Sequence, residues 1–143
     1  MTAKPSISAE GVFTGYASLF GYLDQARDVV EPGAFAASLA RRGPAGVKCL
    51  YQHDPAEPIG VWLDLKEDER GLKVTGRLLP ELARARDVFA LIRAGALDGL
   101  SIGFRAAEAR RDQRNRARRL KRIDLWEISI VTFPMLAGAR IGI

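Results

Sequence analysis

Ser101 sits between two glycines in Gly99-Leu-Ser-Ile-Gly103, and the chain's single histidine, His53, precedes it by 48 residues. A glycine on either side keeps side-chain bulk away, so a substrate backbone can approach the hydroxyl. A serine nucleophile needs a base, and imidazole is the common choice because its pKa lies near operating pH. A third group, an acid or an amide, would hold the imidazole tautomer and stabilise the imidazolium. Glu127 is the best acid by sequence. It lies in an apolar stretch between Trp126 and Ile128, where a carboxylate is costly unless it is paired or lines a cleft. Asp124 and Asp54 are the runners-up. On a continuing strand Asp54 would point away from His53.

Each feature also has a plainer reading. Gly-x-Ser-x-Gly matches the nucleophile elbow of α/β-hydrolases, but that order places the histidine after the serine. No histidine follows Ser101 and no βαβ rhythm is present, so the elbow is rejected. The glycines could equally mark a strand packed against another backbone, and His53 could be a surface residue. Glu127 could lie on the wet face of an edge strand with Leu125, Ser129 and Val131. Ser129 is a rival nucleophile without glycine flanks. Cys49 would share a strand face with His53, but about 13 Å away along the strand, too far for a hydrogen bond. A small buried thiol is the simpler account of it.

The elements that must position these residues read mainly as strands. At 143 residues, 48% hydrophobic and 27% charged, the expectation is one domain spanning 1–143, with residues 1–9 as a loose leader. Residues 10–20 alternate as a strand. Ala34 to Arg42 reads as a short helix, with Pro32 in its first turn and Gly43-Pro44 as its stop. Residues 46–53 read as a strand that breaks at Asp54-Pro55. Residues 59–79 read as an antiparallel hairpin around a charged turn. Leu82, Ala85, Val88, Phe89 and Ile92 recur at helical spacing, with Gly95 as the stop. The Ser101 strand follows. Residues 105–122 form two charged arms around 112–116, and 125–133 form a strong final strand. The sum is about seven strands and two helices, mostly antiparallel: a β-barrel or curled sheet with flanking helices.

Composition narrows the chemistry. One cysteine and one histidine cannot build a usual zinc site, and no loop has the ligand spacing of hard cations; no cofactor is expected. No apolar run approaches the roughly 20 residues of a membrane span. The N-terminus lacks the apolar core of a signal peptide. The net charge of +5 is unevenly placed: residues 105–122 hold nine Lys/Arg and two acids, while the remainder has 13 basic and 15 acidic residues. That segment could touch nucleic acid or an acidic partner. It has no aromatic residue for base stacking, so a solvated hairpin is preferred and nucleic acid is not the expected partner.

Five stretches then occur in order: Gly15-Tyr-Ala-Ser-Leu-Phe-Gly21, Val29-Val-Glu-Pro-Gly-Ala-Phe35, Tyr51-Gln-His-Asp-Pro55 with Pro58-Ile-Gly60, Arg93 to Phe104, and Asp124 to Pro134. Together they closely resemble the caudovirus prohead serine proteases, the capsid maturation proteases of tailed phages. The resemblance runs from about residue 11 to the C-terminus. It implies the herpesvirus assemblin fold, a β-barrel of about seven strands with surrounding helices. It also implies a serine endopeptidase with His53 as base and Ser101 as nucleophile. Assemblins place a second histidine on a strand after the serine; here Glu127 falls in the comparable region. Where the family often reads Phe-Pro-Ala-Asn-Pro, this chain has Phe133-Pro-Met-Leu-Ala137.

The implied substrates are the scaffolding protein, the N-terminal scaffold segment of the major capsid protein, and the protease itself. The implied place is the prohead interior in a bacterial cytoplasm. Assemblins are activated by dimerisation, which makes a homodimer the working expectation. The rival readings are an inactive assembly factor of the same fold and a nucleic-acid-associated module using 105–122.

Overall fold

A computed structural model describes residues 6–142. Its elements in chain order are β1 (Val12–Leu19), β2 (Asp28–Val30), α1 (Ala36–Arg42), β3 (Lys48–Tyr51), β4 (Asp54–Glu67), β5 (Gly71–Leu78), α2 (Ala83–Arg93), β6 (Gly99–Asp112) and β7 (Ala117–Val131). The seven strands make one sheet in the order β1-β5-β4-β3-β7-β2, with β6 on the other side of β7. The expected strand and helix counts hold. Two pairings, β2 with β7 and β3 with β7, are parallel.

Those pairings follow from the length of β7. β2 pairs with residues 118–120 and β3 with residues 127–130. The connection through α1 covers the stretch of β7 between them. There Ile123 N donates to Ala34 O at 2.9 Å and Leu125 N to the buried Ser38 Oγ at 3.0 Å. The helix is held in turn by Glu67 of β4, whose carboxylate accepts from Gly33 N and Phe35 N, each at 2.8 Å. This supplies the acidic N-terminal partner that the helix's own first turn lacks. β7 is therefore not an edge strand, and the wet-edge reading of Glu127 is set aside.

The sheet curls back on itself through the segment 139–142. Tyr16 N donates to Arg140 O at 3.1 Å, Gly142 N to Thr14 O at 2.8 Å, and Leu100 N to Ala139 O at 2.9 Å. A Cβ at Gly15 would lie 2.3 Å from Arg140 O, so only glycine admits this crossing. The concave side holds the core. Phe13 meets Trp62 edge-on at 5.6 Å between ring centroids. Leu72, Val74, Leu100, Ile128 and Ile130 are fully buried, and α2 adds Ala85, Val88 and Ile92.

Four local expectations are corrected. The leader is not loose where it is described: Ile7 is buried and bridges to Phe13, and Ser8 Oγ accepts from Val12 N at 3.0 Å. Residues 1–5 lie outside the described residues. Helix α1 begins at Ala36, because residues 32–35 form the turn that Glu67 ties down. Leu82 is the exposed residue before α2 rather than part of its buried face. Finally, Asp54-Pro55 is no break: β4 starts there, and the reversal falls one step earlier, on Gln52 and His53.

Candidate active site

His53 is placed by that reversal. Tyr51 pairs with Asp54 across a two-residue turn. Both turn residues have left-handed backbones, Gln52 at φ 55° and His53 at φ 59°. A turn of this kind normally selects Asn-Gly. Left-handed φ at ordinary residues costs of order 1–3 kcal/mol each and persists only where the surroundings impose it. Here the end of β7 imposes it. Gln52 N donates to Ile130 O at 3.0 Å, Gln52 Nε2 to Thr132 Oγ1 at 2.7 Å, and Thr132 N to Gln52 Oε1 at 3.2 Å. His53 N donates to Ser129 Oγ at 2.9 Å.

Register places the other groups. Ser101 of β6 lies opposite Ser129 of β7, and Gly103 lies opposite Glu127. Directly opposed residues share a face of the sheet, so all four belong to one side. A Cβ at Gly103 would lie 2.0 Å from Glu127 Oε2; the carboxylate occupies the space that the missing side chain leaves. From there Glu127 Oε2 meets His53 Nδ1 at 2.5 Å, and Oε1 accepts from Ser129 Oγ at 2.7 Å. Carboxylate, hydroxyl and the His53 residue close a ring of hydrogen bonds. With Nδ1–H donating to the carboxylate, the basic lone pair of the ring is on Nε2. The Glu127 side chain is 14% exposed and that of His53 41%, so the acid is sheltered and the imidazole faces the solvent side.

Ser101 and His53 line the same cleft, about 170 Å³, whose walls include Ala17, Leu19, Ile102, Phe104 and Met135. Ser101 is 6% exposed. Among the described residues its hydroxyl makes no side-chain hydrogen bond, so serine and histidine line one cleft without a hydrogen bond between them. Nucleophile–base contacts are often this loose before substrate binds.

The other candidates are accounted for elsewhere. Asp54 Oδ1 accepts from Ala56 N at 2.9 Å, within its own turn. Asp124 accepts from Arg41 at 2.6 Å and from Arg42 and the Trp126 indole. Its carboxyl is held below the usual range, first by the Trp126 N–H and then by Arg42. Ser129 is fully buried and spends its hydroxyl on Glu127 and the His53 backbone. Cys49 is buried in β3, and burial, reinforced by the Glu127 charge, pushes its thiol up to about 12. It is protonated at neutral pH and a poor nucleophile. No group of three metal-ligating side chains occurs among the described residues, and none of their helices is long and apolar enough to cross a membrane.

Sequence reading missed the positioning roles of four residues: Ser129, Gly103, Gln52 and Thr132. Ser129 had a visible signal, because it shares a strand face with Glu127. The Gly103 slot and the Gln52–Thr132 clamp had none, since both depend on which strands become neighbours.

The curled sheet thus brings a serine and a carboxylate-bound histidine to the lining of one cleft. The chain belongs to the caudovirus prohead serine protease family, whose sequence model matches residues 2–143. It is 39% identical over 127 residues to the prohead protease of Enterobacteria phage HK97, covering 87% of this chain and 56% of that protein. The match thus spans little more than half of the relative's length. In three dimensions it resembles the capsid assembly protease of bacteriophage T4, with a TM-score of 0.67 at 12% identity, over 84% of this chain and 80% of that one. It also resembles the KSHV protease, with a TM-score of 0.56 at 14% identity, over 91% and 63% of the two chains. The phage and herpesvirus likenesses establish the expected assemblin-like fold.

Proposed function

We propose that this chain is a serine endopeptidase that cleaves scaffold and capsid-protein scaffold segments inside the assembling prohead. The supporting observation is the hydrogen bond from His53 Nδ1 to Glu127 in a cleft that Ser101 also lines. In this reading Ser101 Oγ attacks the peptide carbonyl while His53 Nε2 takes its proton. The imidazolium, stabilised by Glu127, passes that proton to the leaving amine as the C–N bond breaks. Water then enters and gives a proton to Nε2 as its oxygen attacks the acyl carbon; Nε2 returns that proton to Ser101 Oγ as the ester C–O bond breaks, releasing the acid and the free serine. Glu127 here replaces the second histidine that the assemblin resemblance would suggest. A homodimer and self-cleavage are part of the same proposal.

A fluorophosphonate reagent tests the site, with the adduct located by peptide mass mapping. The reading expects phosphonylation of Ser101, slowed at least ~100-fold in His53→Ala. An adduct on Ser129 or Cys49 instead, or equal labelling of Ser101 without His53, would defeat it.

A further inference from the structure

The β6–β7 arm beyond the site carries more positive charge than its own fold can use. Arg118 is answered by Asp28 through two bonds, at 2.9 and 3.1 Å. Arg119 meets Asp112 at 3.5 Å, Lys121 meets Glu31 at 3.6 Å and Arg122 meets Glu108 at 3.3 Å. Arg105, Arg110, Arg111, Arg114 and Arg116 are all exposed and form no ion pair among the described residues. Arg27 adds another cation at the tip, donating to the carbonyls of Asn115 and Arg116. The register sets Arg110 opposite Arg119 and Arg111 opposite Arg118. Like charges directly across a ladder destabilise it, and while Arg118 and Arg119 have carboxylate partners, Arg110 and Arg111 have none among the described residues to offset that cost.

We infer that the arm is a docking surface for an acidic, extended polypeptide segment. Arginine forks match carboxylates in bidentate pairs, and the cations follow both faces and the tip of a ribbon along which a flexible acidic chain can lie. A nucleic-acid backbone fits less well. The arm has no aromatic residue for stacking bases, and Glu108 and Asp112 interrupt the positive run, whereas phosphates carry a charge at every step. The arm is also continuous with the strands that bear Ser101 and Glu127. Nine residues separate Ser101 from Arg110 along β6, roughly 30 Å at strand rise. An acidic segment held there belongs to the same chain as a peptide bond in the cleft, at a fixed offset from it. That last step rests on the proposed protease function; binding itself does not.

The test measures binding by the full chain as wild type, as Ser101→Ala, and as the triple variant Arg110→Gln, Arg111→Gln, Arg114→Gln. The probes are an alternating Glu-Ser peptide of roughly sixteen residues, long enough to span the arm, its Gln-Ser counterpart, and a duplex DNA of similar length. Wild type and Ser101→Ala should bind the Glu-Ser peptide equally, at least ~10-fold more tightly than the Gln-Ser peptide at about 50 mM salt, with affinity falling as salt rises. The folded triple variant should lose most of that preference. In cleavage of an acidic substrate it should raise KM with kcat unchanged. Equal binding of both peptides, an unaffected triple variant, or tighter binding of DNA than of the Glu-Ser peptide would overturn the inference. Because Ser101→Ala reports binding alone, failure of the docking surface and failure of the protease reading are separable.

Discussion

Glu127 reaches His53 only because Gly103 has no side chain. The two residues face each other across β6 and β7, and the carboxylate fills the position a Cβ would take. Gly103→Ala should therefore act mainly on the chemistry. A displaced carboxylate would release Nδ1, so kcat should fall at least ~10-fold, with more of the loss in kcat than in KM. Glu127→Gln tests the same contact without changing shape. An amide can stabilise the wrong tautomer and cannot stabilise the imidazolium, so kcat should drop by about three to four powers of ten. Steady-state kinetics on a mapped cleavage site checks both variants. A Gln variant with wild-type kcat would remove Glu127 from the mechanism. At this scale the residue types were legible in the sequence: one histidine, one glycine-flanked serine and one acid in an apolar strand. Their contact was not, because it depends on a register that links positions 53, 103 and 127.

Element by element, the hairpin turn that carries His53 and the helix α1 between β2 and β3 do the positioning. The turn was legible only in part. Asp-Pro suggested a break, yet Pro55 lies at the start of β4, where its missing N–H is tolerated, and the left-handed pair is Gln52-His53. No glycine marked that pair, because tertiary contacts from β7 hold it rather than local preference. Helix α1 is tied to β7 through Ser38 and through Asp124, which pairs with Arg41 and Arg42. The Asp124 carboxyl is depressed in the fold, so its contribution is present above the ordinary value of 3.8 and is lost as pH falls through the lower folded value. Asp124→Asn should consequently be less stable than wild type at neutral pH, and the difference should shrink toward about pH 2.5. Urea denaturation at the two pH values checks this. A constant difference would mean that the charged carboxylate's contacts with the Trp126 N–H, Arg42 and Arg41 do not supply the stabilisation.

On the scale of the whole molecule, alternation and helical spacing made the mainly β class and the strand count legible. The strand order was not. β2 and β3 pair in parallel with one long final strand that the sequence shows as two pieces, a charged arm and an apolar strand. β7 joins them because cross-strand pairing with β6 continues without a break in chain direction from Ala117 to Val131, absorbing its irregularities as bulges. The result places Ser101 at one end of a two-stranded ribbon and the uncompensated arginines at the other, with His53 and Glu127 braced from β3 and β7. A site built this way should lose its reaction, and little else, when one hydroxyl is removed.

The direct measurement is intact-mass analysis of scaffold and capsid proteins co-expressed with either the wild-type chain or Ser101→Ala, with folding of the variant checked by its thermal transition. The expectation is discrete cleavage products with wild type and none with a Ser101→Ala protein that melts within a few degrees of it, a loss of at least several powers of ten in rate. Undiminished cleavage by Ser101→Ala, or intact substrates beside a folded wild-type chain incorporated into proheads, would contradict it.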